Sequence, residues 1–217
     1  MNRTRESFKR GSAKFKSQPK VLVICEDSKS SKIYMEEASI FYRSHTEILF
    51  DHIGKTDPLN IVSEAVSRSR KYDWVFCVID RDNHDQINLE KALTLEEINK
   101  NKVKVFISYP CFEYWLILHC EFSRAPFSSL PKSAGTSCFS KLKTFPIFNN
   151  YTKGNVNGLF KDLLPYLPVA KKHAIKTMQE VIAVNEYNPS TPLHNLIKIL
   201  ETLGNPISIT EDIFQFQ

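Results

Sequence analysis

The sequence predicts an α/β fold, in which a mostly parallel sheet of about four strands has helices on both faces and is followed by a helical C-terminal portion. Strand-like and helix-like segments alternate over residues 20–122, which is typical of a parallel sheet with helical connections. Two of the strands are nearly continuous apolar runs, as expected of central strands buried on both faces. The 217 residues suffice for one sizeable domain, alone or with an appendage.

The first half of the chain is predicted to run β-α-β-α-β-α-β-α. The four strands are expected in KVLVIC (20–25), TEILFDHIG (46–54), WVFCVI (74–79) and KVKVFISYP (102–110). The helices between them show apolar residues at helical spacing, with Ser30 or Ser31 as the N-cap of the first helix and Asp57 with Pro58 opening the second. The fourth helix is expected in CFEYWLILHCEF (111–122) and should be largely buried.

The second half begins with a segment rich in proline, glycine, serine and lysine, which predicts an irregular insert from residue 123 to about 155. Helical patterns follow at 158–184, where Pro165 and Pro168 should break the early part, and at 188–204. The last helix has Thr191 as its expected N-cap, Pro192 at its first position and Gly204 after its last turn. We therefore divide the chain into an arm (1–18), an α/β core (19–122) and a C-terminal portion packed on that core (123–217).

Positive charge is concentrated at the start of the chain. The formal net charge is +5, but residues 1–20 hold seven basic residues and one acid, so the remainder is close to neutral. The basic residues are Arg3, Arg5, Lys9, Arg10, Lys14, Lys16 and Lys20. Because residues 1–18 contain no apolar run, we expect a flexible arm that contacts phosphates or a partner.

Composition argues against membrane and secreted classes of protein. The chain is 42% hydrophobic and 24% charged, which is typical of soluble globular proteins, and no stretch approaches the roughly 18 apolar residues of a membrane span. The basic arm lacks the apolar region of a secretory signal. Five scattered cysteines without a C-x-x-C pair are expected to be buried thiols in a reducing compartment, which predicts a cytoplasmic protein.

Acidic residues follow two of the predicted strands. Glu26 comes directly after the first strand, and Asp80 and Asp82 come after the third. Ligands of open parallel sheets bind outside the carboxyl ends of the strands, and residues i and i+2 of an extended strand end point the same way. If the first and third strands are neighbours, the three carboxylates should meet, and their hard oxygens suit Mg²⁺ or Mn²⁺. The D-x-D pair by itself also fits a solvated acidic loop.

The acidic segments also resemble a known domain. VLVICED (21–27), then a helix, then VFCVIDRD (75–82) resembles the TOPRIM domain of topoisomerases, primases and OLD-type nucleases, which binds Mg²⁺ through a Glu after its first strand and a D-x-D after its third. SYPCFEYWLILH (108–119), the Tyr-x-Lys at 151–153 and NPSTPLHNLIKIL (188–200) are similar to the RloB-like, or AbiLii-like, family. The resemblance covers about residues 18–203. The family commonly has Gly after the Glu, whereas this chain has Asp27, which either adds a ligand or is merely tolerated.

The resemblance implies a TOPRIM-type nuclease that acts in bacterial phage defence, often encoded beside an AAA or ABC-type ATPase that would be its partner. Glu26, Asp80 and Asp82 would be the metal residues. Glu113 would complete a second metal site or act as a base, although a structural ion pair also explains a carboxylate among aromatic residues. Lys153, or Lys29, would contact a phosphate oxygen, with a solvated loop lysine as the alternative.

Two histidines, His119 and His84, are not included in the predicted catalytic or metal-binding set. His119 lies about 240° around a helix from Glu113, so the two cannot share one face and His119 is predicted to be a hydrogen-bonded core or interface histidine. His84 and its neighbour Asp85 are predicted to be loop residues.

The function predicted from the sequence is divalent-metal-dependent hydrolysis of DNA or RNA, including tRNA, with the catalytic set Glu26, Asp80, Asp82, Glu113 and Lys153. The alternative is a non-catalytic subunit of an ATPase defence complex that binds a metal-nucleotide or a nucleic acid. The sequence leaves open which nucleic acid is bound and whether the chain forms homo-oligomers.

Overall fold

Four parallel strands form the sheet of this protein, in the spatial order β2-β1-β3-β4. The computed structural model describes residues 19–42, 46–82 and 84–204. The strands are β1 (Lys20–Cys25), β2 (Glu47–Asp51), β3 (Trp74–Asp80) and β4 (Val103–Ser108). The predicted α/β class with a parallel sheet is therefore confirmed, whereas the predicted basic arm (1–18) lies outside the described residues.

The two central strands are β1 and β3, and both are apolar along nearly their whole length. They pair in parallel from Val21 opposite Trp74 to Cys25 opposite Val78. Their side chains are buried on both sides of the sheet, which explains why their sequences do not alternate between polar and apolar residues. This pairing brings the residues after Cys25 next to the carboxyl end of β3.

Helices cover both faces of the sheet. Between the strands lie α1 (Ser31–Phe41), α2 (Pro58–Arg68) and α3 (Gln86–Ile98). One face of the sheet packs against α2 and α3, and the other face packs against α1 and the helices of the C-terminal half. As predicted, Asp57 caps α2, because its side chain accepts a hydrogen bond from the Asn60 amide at 3.1 Å.

The predicted N-cap position of α1 is confirmed, because Ser30 occupies it, but the Ser30 side chain makes no capping hydrogen bond. Asp27 accepts hydrogen bonds from the backbone amides of residues 29, 30 and 31 and from the Ser31 hydroxyl. An acid placed before the helix outcompetes the serines because a carboxylate accepts several amide hydrogens and balances the partial positive charge of the helix N-terminus.

Beyond β4, the residues described up to 204 form five helices: α4 (Glu113–Ile117), α5 (Ala134–Leu142), α6 (Leu159–Leu163), α7 (Leu167–Val184) and α8 (Leu193–Leu203). Single 3₁₀ turns lie at Pro146–Phe148 and Leu164–Tyr166. The predicted breaks at Pro165 and Pro168 are confirmed, because they fall where α6 gives way to the 3₁₀ turn and to α7. The predicted irregular insert holds the regular helix α5. The proposed division into three segments stays a prediction.

Two helix boundaries differ from the prediction. The buried helix expected over 111–122 is the short α4, and the chain beyond it is irregular. In α8, Pro192 and not Thr191 is at the N-cap, and the Thr191 hydroxyl lies 2.9 Å from that of Ser108. Because Thr191 is fully buried, its hydroxyl bonds to the end of β4 as well as contacting the start of α8. Gly204 follows the last turn of α8 as predicted.

No helix within the described ranges is both long and apolar enough to cross a bilayer. The five cysteines are free thiols, and four of them are buried as predicted, whereas Cys120 is exposed.

His119 lies in the core, where the sequence analysis expects a hydrogen-bonded histidine. Its side chain is buried, and Nδ1 donates to the Trp115 carbonyl oxygen at 3.0 Å. Nε2 is then the nitrogen that can accept from the Tyr34 hydroxyl, 3.4 Å away. The ring therefore works as a neutral hydrogen-bonding element that joins α4 to α1.

This environment predicts a pH dependence of stability. Burial lowers the pKa of His119 to about 4, whereas an unfolded histidine titrates near pH 6.5. Between these values the unfolded chain binds the additional proton, so stability is full above about pH 6.5 and is lost toward pH 4, by about 3 kcal/mol. We expect His119→Asn, which can still donate to the Trp115 carbonyl but cannot titrate, to show a shallower fall in unfolding free energy from pH 7 to 4.5 by urea denaturation.

The control is Leu118→Ala, which opens a cavity in the same core but leaves His119 in place. It should lower stability at every pH and keep the wild-type slope. Equal slopes in His119→Asn and wild type would show that His119 does not carry the effect.

Candidate functional site at the carboxyl edge of the sheet

Glu26 is the first residue past β1, and its carboxylate lies beside the end of β3. Its backbone amide donates to the Val78 carbonyl at 2.9 Å, which extends the β1–β3 pairing by one residue. Its Oε2 accepts from the backbone amide of Asp80 at 2.8 Å, and its Oε1 accepts from Nε2 of His84 at 2.9 Å. The predicted meeting of Glu26 with the end of the third strand is therefore present, and His84 belongs to it.

Asp80 ends β3, and its side chain lies among other carboxylates. Its Oδ1 accepts from the Phe112 backbone amide at 2.9 Å, which ties the strand end to the start of α4. Burial raises the pKa of Asp80 well above its usual value, and the nearby negative charges of Glu113 and Glu26 raise it further. A cation at this position would relieve both penalties.

Glu113 is the most deeply buried acid of the site, with 1% of its surface exposed. Its Oε1 accepts from the Tyr151 hydroxyl at 3.0 Å and lies 3.5 Å from the Lys153 ammonium nitrogen. Its Oε2 is buried and has no hydrogen-bond partner among the described residues. Because a buried carboxylate oxygen without a partner is costly, this atom marks a place for a donor or a cation.

The Tyr-x-Lys segment supplies the positive side of the site. Burial acts to lower the pKa of Lys153, but the negative charges around it, that of Glu113 above all, raise the pKa beyond its usual value. The lysine is therefore held in its charged form. Lys29 reaches the same region, and its side chain packs against Gly154, where a Cβ would lie 3.3 Å from the Lys29 Cδ.

These residues line one cavity of about 270 Å³ at the carboxyl ends of β1 and β3. Four carboxylates and two lysines contribute to its wall: Glu26, Asp27, Asp80, Glu113, Lys29 and Lys153. We call this space the acidic cavity. Asp27 adds no free ligand, because both of its oxygens already accept hydrogen bonds from the start of α1. Asp27, at the position where the family that the chain resembles commonly has glycine, thus has a helix-capping role here.

Asp82 does not join the acidic cavity. Its Oδ2 accepts from the Ser133 hydroxyl at 2.9 Å, and a Cβ on Gly135 would overlap the same carboxyl group. The expectation that Asp80 and Asp82 face one way fails because β3 ends at Asp80, so the alternation of an extended strand does not continue to Asp82. Asp82 instead lies at the N-terminus of α5, where the helix dipole favours a negative charge.

Sequence reasoning missed some of the supporting groups. His52 also lines the acidic cavity, with Nδ1 donating to the Cys25 carbonyl at 3.1 Å. No sequence pattern predicts the contact between Asp82 and Ser133, because these residues are 51 positions apart. Tyr151 could have been found, because it opens the Tyr-x-Lys motif and a buried acid needs a donor.

The ligand types in the acidic cavity suit a hard divalent cation, but the spacing of the ligating side chains suits it only in part. Glu26, Asp80 and Glu113 offer the carboxylate oxygens that Mg²⁺ and Mn²⁺ prefer, and the unpartnered Oε2 of Glu113 favours such an ion. Yet in the part of the chain that the structure describes, no three His, Cys, Asp or Glu side chains are grouped closely enough to hold a metal ion. Binding would therefore require side-chain rotations within the cavity.

The position of Asp82 predicts an energetic coupling with Gly135. In the wild type, Gly135→Ala must push the Asp82 carboxyl away from Ser133, which costs about 1 kcal/mol for the lost hydrogen bond. In an Asp82→Ala background this cost is absent, so the same substitution should be about 1 kcal/mol more favourable there. A double-mutant cycle by urea denaturation measures the difference, and additivity within about 0.3 kcal/mol would contradict the contact.

Comparison with known proteins places the chain in a family. A family model described as RloB-like protein matches residues 21–200, which run from β1 into α8 and include every residue of the acidic cavity. No curated protein and no solved structure matches the chain. Since the family model covers most of the sequence, the chain belongs to the RloB-like family, as its motifs indicate.

Proposed function

We propose that this protein is a divalent-metal-dependent phosphodiesterase of TOPRIM type that cleaves DNA or RNA as an effector of phage defence, together with an AAA or ABC-type ATPase. The observation that carries the proposal is the acidic cavity at the carboxyl edge of a parallel sheet, where two lysines meet four carboxylates, three of which do not cap a helix. Nucleases need both charges at one place, because a metal ion and a phosphate bind side by side.

Glu26, Asp80 and Glu113 are the residues that would hold the ion. When bound, Mg²⁺ or Mn²⁺ supplies the orientation of the scissile phosphate, the activation of a water and the neutralisation of charge on the leaving oxygen. Asp82 would reach the acidic cavity only by leaving Ser133 and the N-terminus of α5. We therefore rank Asp82 below Glu26, Asp80 and Glu113 as a metal ligand.

The remaining polar groups position these acids and the phosphate. The Tyr151 hydroxyl fixes Glu113, and His84 fixes Glu26 through its 2.9 Å contact. The negative charge of Glu113 keeps Lys153 protonated, and the Lys153 ammonium nitrogen lies 3.5 Å from Glu113 Oε1. Lys153 can therefore contact a phosphate oxygen beside the ion. Lys29 lies at the same cavity and can contact another oxygen.

Two observations favour a second candidate function. Asp82 lies outside the acidic cavity, and no three ligating side chains are grouped within the described ranges. This arrangement suits a subunit that binds a metal-nucleotide or a nucleic acid without cleaving it, while its ATPase partner acts. The two candidates differ in one measurable result, which is whether purified protein with metal converts a nucleic acid to products.

The proposal predicts unequal effects of the two aspartates on cleavage. With labelled single-stranded and duplex DNA and with tRNA, wild-type protein and Mn²⁺ or Mg²⁺ should yield products, and EDTA should prevent them. Asp80→Asn or Glu26→Gln should lower the rate about 10³-fold or more, because several kcal/mol of charge stabilisation depend on the ion. Asp82→Asn should lower the rate much less.

Glu97→Gln is the matched control, since Glu97 is an exposed acid that pairs with Lys100 on the surface. It should cleave at the wild-type rate. If wild type retains nucleic acid in a metal-dependent manner without products, the binding subunit is the correct function. If Asp80→Asn cleaves as fast as wild type, the acidic cavity is not the active site.

A further inference from the structure

A second and larger cavity lies on the other side of the β3 end, along β4. It encloses about 1060 Å³ and is bordered by α3, by the start of α5 and by the segment between α7 and α8. Its floor includes the apolar side chains of Leu89, Leu93 and Met178. Its volume is at the upper end of the range of small-molecule sites, and it combines an apolar floor with polar walls, as ligand sites do. We call it the β4 cavity.

The β4 cavity and the acidic cavity share a boundary. Asp80 lines the acidic cavity, whereas the next two residues, Arg81 and Asp82, line the β4 cavity. On the facing segment, Tyr109 and Pro110 line the β4 cavity, and residues 112–113 line the acidic cavity. Two residues of extended chain span only about 7 Å, so an extended ligand held at one cavity would reach the other.

Two tyrosines form an aromatic surface in the β4 cavity. The rings of Tyr109 and Tyr187 lie 5.3 Å apart between centroids with an interplanar angle of 34°. Tyr109 is partly buried and its backbone pairs with Ser190 in an isolated bridge, so it gives a fixed support. Tyr187 is 44% exposed, which leaves part of its ring accessible. Exposed aromatic rings next to a phosphate-binding site are typical stacking platforms for nucleobases.

The charges of the β4 cavity are mixed. Arg81, Lys104 and Lys132 are its cations, and Asp82 and Glu186 its acids. Lys104 is paired with Glu96, and the Arg81 guanidinium donates to Gln86 at 2.8 Å. Lys132 makes no salt bridge to any residue that the structure describes. The cavity can thus contact one or two phosphates, and stacking must supply most of its affinity.

We propose that the β4 cavity binds an unpaired nucleotide of a nucleic-acid strand whose adjoining phosphate lies in the acidic cavity. This inference rests on the proposed function and names its substrate class as single-stranded or locally unpaired nucleic acid. The base stacks on Tyr187 over the apolar floor, and Lys132 contacts the strand. A continuous duplex is disfavoured, because its bases are stacked on one another and cannot enter a concave cavity without unpairing.

The test is binding without cleavage. With Ca²⁺ in place of Mg²⁺ or Mn²⁺, and with product formation checked in the same samples, fluorescence anisotropy with a labelled 12-nucleotide single strand, its duplex and free nucleoside triphosphates should show the tightest binding for the single strand. Tyr187→Ala should weaken single-strand binding about 5- to 150-fold, the range for loss of one base–aromatic stack. Tyr187→Phe keeps the ring and should bind like wild type. Lys132→Ala should lower the salt dependence of log K by about 0.7, as for one phosphate contact to a single strand.

The matched control is Tyr166→Ala, because Tyr166 is also a half-exposed tyrosine, at 45%, but lines neither cavity. It should leave binding unchanged, and the unfolding midpoint of each variant shows that it is folded. Equal single-strand binding by Tyr187→Ala and wild type would overturn the inference, as would tighter binding of duplex or of free nucleotide than of the single strand.

A second readout separates this inference from the proposed function. Hydrolysis of bis(4-nitrophenyl) phosphate, a small diester that has no nucleobase to stack on Tyr187, should proceed in Tyr187→Ala as in wild type. If wild type hydrolyses the small diester and Tyr187→Ala binds the strand like wild type, the nuclease proposal for the acidic cavity is supported and the nucleotide site in the β4 cavity is contradicted. If no diester is hydrolysed and Tyr187→Ala still weakens strand binding, the nuclease proposal fails and the nucleotide site stands.

Discussion

The parallel pairing of β1 with β3 is the constraint on which the rest of this structure depends. It places the residue after Cys25 beside the carboxyl end of β3, so Glu26 accepts a hydrogen bond from the Asp80 amide at 2.8 Å although 54 positions separate them. Helices bury both strands on both faces, and this packing fixes the register, because a slip of one residue would exchange the side chains that pack in the two apolar clusters. Without this pairing there would be no acidic cavity.

The acids gathered by this pairing work against the stability of the folded chain. Like charges and burial raise the pKa of Asp80 well above its usual value, and Glu113 has a buried oxygen without a partner among the described residues. The fold offsets part of this cost with the Tyr151 hydroxyl and the Lys153 ammonium. Such costs are typical of functional sites, where groups are held for a ligand and not for the stability of the fold.

Much of the fold and part of the site could be predicted from the sequence. Apolar strands that end in acids predict both the parallel sheet and the approach of Glu26 to Asp80, since these depend on local pattern and on a general rule of sheet topology. The orientation of Asp82 could not be predicted, because it depends on where β3 stops and on Ser133, a distant residue in a segment without a clear pattern. The short α4 was missed for a related reason: an apolar run shows burial but does not fix helix length.

Two cavities adjoin at one sheet edge, and the acidic cavity is the central one, because the proposed chemistry and the proposed substrate class both depend on it. Its most direct test is a crystal structure of the protein grown with Mn²⁺, with an anomalous difference map that locates the ion without reference to activity. We expect an anomalous peak in the acidic cavity, within coordination distance of the Asp80 and Glu113 carboxylates. A fully ordered cavity without a peak, or a peak only beside Asp82 and Ser133, would contradict it.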